Sequence, residues 1–283
     1  MRQDARGFEL QVRPHHWEIS RRRHENRRSR NVRMTIAALT IAALWLPVMA
    51  QAQWKTPWYY EGKAGVEHWA SLDPEYAACG NGKEQSPIDI RATQKAELPS
   101  LRFVDKSAPL KYLINNGRTI RVDYHAPGSG DWLMVGDQRY QLTQFHFHRP
   151  SEEYVQGRPY DMALHLMYEA SDGKVVGVTV FLKSGSANAT LQKLWDHMPQ
   201  AAGNAQEIPG VEINPAGLLP RDTGYYTYTG SLSAPPCTEG VTWYVLKTPT
   251  EISAEQIKAF ARLYPHDVPP LQSLNGRVVK ESE

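Results

Sequence analysis

Hydrophobic and polar positions alternate with a period of two through much of this chain. The stretch QFHFHRPSEEY, Gln144 to Tyr154, opens on strict alternation. Successive side chains of a strand leave opposite faces. Phe145 and Phe147 therefore share one face, and Gln144, His146 and His148 the other. MALHLMY, Met162 to Tyr168, repeats the period, with Leu164 and Leu166 alternating with Ala163, His165 and Met167. PLKYLINNGRTIRVDYHA, DWLMVGDQRYQLTQFHFH, PYDMALHLMYEA and KVVGVTVFLK are β-rich runs broken by Asn-Gly, Gly-Asp and Asp-Gly turns. GYYTYTGSLSAPPCTEGVTWYVLK adds two strands around a proline-rich loop. Helical periodicity is confined to NATLQKLWDHM and SAEQIKAFARLY, with Asn188 and Ser253 as N-caps. The pattern predicts a β-dominated α+β protein, with long connections such as 200–224 wrapping the surface.

The N-terminus follows a different pattern. Residues 1–33 hold ten arginines and no lysine against four acids, a net +6; the whole chain carries +2, so the remainder carries about −4. The basic balance belongs to this leader, and no nucleic-acid partner follows from it. Residues 34–52, MTIAALTIAALWLPVMAQA, combine a short apolar core with an A-x-A end. That predicts a secretory signal peptide cleaved before Gln53, and a periplasmic or secreted protein. The core is short for a membrane span and holds a proline; an uncleaved anchor is the alternative. The leader is long for a signal peptide, and translation from Met34 would remove it. Residues 53–283 fit one domain with a sizeable core, without repeat or linker. The only cysteines, Cys79 and Cys237, predict one disulfide in an exported chain, with two free thiols as the alternative.

Antiparallel pairing of the two histidine strands would set His165 beside His146 and His148. Three imidazoles can occupy three corners of a tetrahedron around Zn²⁺ and leave the fourth for water, as catalytic zinc sites do. Water bound there would ionise near pH 7. The spacing alone is equally compatible with solvent-facing or core histidines.

QFHFHRPSEE, GSLSAPPCTEGVTW and LNGRVV, in this order and at these separations, resemble the α-class carbonic anhydrases of the exported bacterial type. YEGKAGVEHWASL, CGNGKEQSPIDI, INNG, LQKLWDHMP and AFARLY extend the resemblance over residues 54–280. It implies a large, mostly antiparallel ten-stranded twisted sheet with zinc at the bottom of a cone. It also implies reversible hydration of CO2 to bicarbonate and a proton, and a Cys79–Cys237 bridge. His146, His148 and His165 match the zinc ligands, and Gln144 the residue orienting the first of them. Ser233 takes a gatekeeping threonine's place, accepting a hydrogen bond from zinc hydroxide and donating to Glu152. Leu232 and Trp243 match walls of the CO2 pocket, and Tyr60 a tyrosine lining the cone. His68 would support the cone's mouth, while His125, His197 and His266 are surface or loop residues. CO2 and bicarbonate are the partners implied; monomer and dimer are both compatible with the chain.

Five positions depart from the pattern. Arg118 stands where many relatives carry a proton-shuttling histidine, and a permanently charged arginine cannot relay a proton. Ala163 replaces the glutamate that holds the third ligand. Met167 and Gly177 replace pocket valines, one enlarging and one deleting a side chain. Ala234 replaces a second threonine. Glu153 replaces the histidine that usually follows the glutamate matched by Glu152. Without an acceptor at 163 zinc should be held less firmly and Ala163→Glu should strengthen it, unless another carboxylate such as Glu153 reaches the same nitrogen. The rivals to an active enzyme are a related binding protein with weak turnover and a metallohydrolase of esters. All three ligand histidines being present argues against the first, and esterase activity would be a side reaction.

Overall fold

A computed structural model describes residues 56–124 and 131–283. The leader, the segment read from sequence as a signal peptide, and His125 lie outside the described residues. Among those described, no helix is long and apolar enough to cross a membrane.

The two histidine strands lie at the heart of the sheet. Gln138–His148 and Met162–Glu169 pair antiparallel, with His165 opposite His146 and Ala163 opposite His148. The opposite face holds Phe145, Phe147, Leu164 and Leu166, all fully buried. Each such side chain stabilises the fold by about 1.5–3 kcal/mol. What covers this face are the two helices that periodicity predicts, Ala189–Trp195 and Ala254–Ala261. The Trp195 ring meets Phe147 edge-to-face with centroids 4.8 Å apart, and Phe260 stacks on Trp195 and packs against Phe147. Asn188 caps the first helix, and Ser253 with Gln256 forms a reciprocal capping box on the second. With a helical layer on one face, the polar face is free to line a cavity.

The sheet has twelve strands among the described residues rather than ten. It is mostly antiparallel, as expected, but three junctions are parallel: Val175–Ser184 with Glu239–Leu246 and with Thr250–Ile252, and Val279–Ser282 with Thr93–Ala96. Parallel neighbours need a long crossover. The excursion between Ser184 and Glu239 supplies it for the first of them. That excursion is not all surface: Glu212–Ile213 pairs with Ala108–Pro109, and Ile213 and Leu218 are buried in the main core.

Cys79 and Cys237 form a disulfide, 158 residues apart in sequence with Cα atoms 5.1 Å apart. In the chain-entropy account such a loop contributes up to about 5 kcal/mol. The bridge packs with Trp58, Trp69 and Tyr76. Cys237 also donates its backbone N–H to the Ala234 carbonyl at 2.9 Å. The covalent link thus anchors the loop that carries Ser233 and Ala234.

Candidate metal centre and cavity

His146, His148 and His165 stand in a cluster whose ligand atoms lie within 4.8 Å of one another. Strand register brings them together, and a specific acceptor orients each ring. His146 Nδ1 donates to Gln144 Oε1 at 2.8 Å. His148 Nδ1 donates to the Asp267 carbonyl at 2.9 Å. His165 Nε2 lies 3.4 Å from Glu153 Oε2. A carbonyl or carboxylate oxygen only accepts, so the proton sits on the named nitrogen and the other one keeps its lone pair. The nitrogens left for a ligand are His146 Nε2, His148 Nε2 and His165 Nδ1.

Two of these, His148 Nε2 and His165 Nδ1, are buried with no hydrogen-bond partner. Buried polar atoms without partners are costly, and three converging imidazole lone pairs form the donor set that zinc prefers. The residues therefore fit the metal.

Burial holds His146 and His148 well below the ordinary histidine pKa, with the neighbouring histidines adding to the effect. Burial pulls His165 the same way, but the charge and hydrogen bond of Glu153, with the charge of Glu152, outweigh it and raise its pKa. Glu152 is pushed up to about 7 by burial; Ser233 lies near enough to counter part of that shift. Neither Glu152 oxygen nevertheless has a partner of hydrogen-bonding geometry.

Above the histidines opens a cavity. One wall is apolar, built by Met167, Leu232 and Trp243; Ser233, Ala234 and Tyr60 also line it. At the rim Arg118 lays its guanidinium over the Trp58 ring at 4.4 Å and donates to the Trp58 carbonyl at 3.3 Å.

A profile described as eukaryotic-type carbonic anhydrase matches residues 64–283 of the chain. The chain belongs to the α-class carbonic anhydrases. A carbonic anhydrase of Klebsiella pneumoniae is 41% identical over 238 residues, 83% of this chain and 95% of that one. One from Nostoc sp. (strain PCC 7120) is 40% identical over 229 residues, 80% and 86% of the two chains. The solved α-carbonic anhydrase of Thermovibrio ammonificans, in complex with the inhibitor sulfanilamide, superposes with a TM-score of 0.75 at 39% identity. It covers 80% of this chain and 99% of that one.

Within this carbonic anhydrase fold most of the expected site residues converge. Gln144, the three histidines, Met167, Leu232, Ser233, Ala234, Trp243, Tyr60 and Arg118 all line the cavity. Glu152 is buried behind the histidines. Gly177 does not line it. A Cβ there would lie 2.5 Å from the Trp243 ring, so the indole already fills the room this glycine leaves. His68 is also absent from the wall, exposed and beside Glu67 at 3.6 Å; His197 and His266 are exposed. Sequence reasoning missed Asn116, Thr119 and Arg121 in the wall, and Asp267 as the acceptor for His148. No side-chain signal could have revealed Asp267, because it acts through its backbone carbonyl. Arg121 pairs across strands with His146 and is ion-paired to Asp123 at 2.6 Å, a cue that register alone supplies.

Proposed function

We infer that the chain catalyses the zinc-dependent, reversible hydration of CO2 to bicarbonate and a proton. The observation carrying this reading is the set of three converging imidazoles, two of their nitrogens buried without partners, at the floor of a cavity with one apolar wall, in a chain of the α-carbonic anhydrase family. Zinc, when bound, lowers the pKa of a coordinated water toward 7, a value established for carbonic anhydrases as a class. The rest falls to the chain's own groups.

Met167, Leu232 and Trp243 offer CO2 an unhydrated wall beside the histidines. Ser233 stands at the edge of that wall with Glu152 behind it. Glu152 has two unpartnered oxygens; a turn of the Ser233 hydroxyl to donate a hydrogen bond to one of them would leave Ser233 Oγ able only to accept from the attacking group. This polarity aims the attacking lone pair at carbon. Serine retains the hydroxyl that such a relay needs and loses only the rotamer stiffness of threonine. Gln144 and Asp267 fix the tautomers of His146 and His148. Arg118 holds the rim and cannot move a proton, so protons leave through water and external buffer. The disulfide and the A-x-A leader support an exported, periplasmic or secreted, enzyme.

Stopped-flow CO2 hydration on the purified protein tests this, before and after zinc removal by a chelator and again after zinc is restored. Turnover should vanish and return with the metal. Undiminished hydration without zinc would refute the reading.

A further inference from the structure

The third ligand, His165, has no carboxylate at the neighbouring same-face position of its own strand. Ala163, two residues earlier on the same face, is fully buried and offers no acceptor. Yet the ring is not left unheld. Glu153, on the loop after the Gln138–His148 strand, is fully buried and sets Oε2 at 3.4 Å from His165 Nε2. The same carboxylate accepts the Thr179 hydroxyl at Oε2, 3.2 Å away, and the Tyr228 hydroxyl at Oε1, 3.3 Å away. Thr179 is the cross-strand neighbour of His165, and Tyr228 lies on the Tyr225–Ser231 strand. Donors from three strands thus meet on one buried acid.

A buried charge is poor evidence of stabilisation, since well-packed apolar side chains of similar volume often serve the fold as well or better. The geometry points to a different use. We propose that Glu153 is the positioning residue for the third metal ligand, delivered from a loop in place of an acceptor on the ligand's own strand. Its carboxylate holds the proton on His165 Nε2 and leaves Nδ1 aimed at the metal. Thr179 and Tyr228 hold that carboxylate in place. The small side chain at 163 and the acid at 153 then form one arrangement in which each residue is adapted to the other. Ala163→Glu would set a second buried carboxylate beside the first, so it brings no gain, the exception that the sequence left open for a carboxylate such as Glu153. This rests on His165 being a zinc ligand, as proposed above.

The test is zinc affinity, measured by chelator competition on the full chain, so that its outcome does not depend on CO2 turnover. Glu153→Gln keeps the shape and removes the charge. It should weaken zinc binding by about 10–100-fold, the range established for such outer partners. Ala163→Glu alone should not tighten binding. Wild-type affinity in Glu153→Gln, or a tenfold gain in Ala163→Glu, would overturn the proposal. Should Glu153→Gln fail to fold, ¹⁵N NMR of the wild-type protein reads the His165 tautomer directly. A slowly exchanging proton on Nε2 is expected; a proton on Nδ1, or rapid exchange at Nε2, would overturn it. If zinc binds as described but no hydration is seen, the functional reading fails and this one stands.

Discussion

The floor of the cavity and its rim have met substitution in different ways. At the floor, every histidine ring has an acceptor: Gln144 for His146, the Asp267 carbonyl for His148, Glu153 for His165. The alanine at 163 is matched by an acid at 153, and the set of three free nitrogens is intact. At the rim, Arg118 stacks on Trp58 and Ala234 presents a methyl group, with no titratable group in their place to relay a proton. Geometry around a metal tolerates a change of address for a hydrogen-bond acceptor, provided the same nitrogen is met. Proton relay tolerates no such exchange for arginine, because the function lies in the titration itself.

The largest effect should come from the floor. His148→Ala removes one of three ligands and leaves the Asp267 carbonyl without its donor. Zinc content and CO2 hydration should fall together to background, read by metal analysis beside stopped-flow. Retained zinc with retained activity would break the distinction at once. Next in size is Ser233→Ala, which leaves the ligands untouched but removes the hydroxyl between the reacting group and Glu152. kcat/KM should drop on the order of 10²-fold, as for loss of one preorganised hydrogen-bonding group, with zinc content unchanged. A loss of zinc instead would place Ser233 in the metal site rather than in the relay.

The rim gives a smaller effect of opposite sign. Wild-type kcat should rise with added imidazole buffer while kcat/KM changes little, because proton export follows the chemical step. Arg118→His should raise kcat at low buffer by roughly tenfold, below the full range for a positioned acid–base group because water already carries part of the flow. A buffer-independent wild-type kcat above about 10⁵ s⁻¹, a decade below the turnover established for fast carbonic anhydrases, would reveal another shuttle.

How much of this the chain disclosed beforehand depends on the kind of signal. Period two placed Gln144, His146 and His148 on one face, and strand pairing then brought in His165. The two helices were legible from their spacing and caps. Ser233, Glu152, Leu232 and Trp243 carry no local signature, and only resemblance to a family singled them out. Gly177 matches a pocket position by resemblance, but its neighbour's indole takes the room of its missing side chain, a packing that sequence alone does not show. The parallel junctions of Val175–Ser184 were hidden because pairing partners separated by a long excursion leave no trace in periodicity. The role of Glu153 was legible only as an alternative to the acceptor missing at 163, since a loop has no period from which to read where a side chain points.

The smallest effect lies outside the site and sharpens the contrast between partnered and unpartnered buried acids. Glu153 has three donors, whereas both Asp105 oxygens are buried with none among the described residues. Burial, and then the charge of Asp131, pushes Asp105 up to about 7. A carboxyl whose pKa is raised on folding favours the folded state below its unfolded pKa, near 4, and loses that contribution as pH rises through about 7. Asp105→Asn should therefore raise the melting temperature relative to wild type at pH 8, with the difference shrinking toward pH 5. A difference independent of pH would show that the acid is solvated.

The central claim is that three histidine nitrogens, each freed by a partner on the opposite side of its ring, hold one zinc per chain. X-ray absorption at the zinc edge reads this most directly. The account predicts one zinc per chain with three nitrogen scatterers and one oxygen at ~2.0–2.1 Å. Fewer than three nitrogens, a six-oxygen shell, or substoichiometric metal after loading would contradict it.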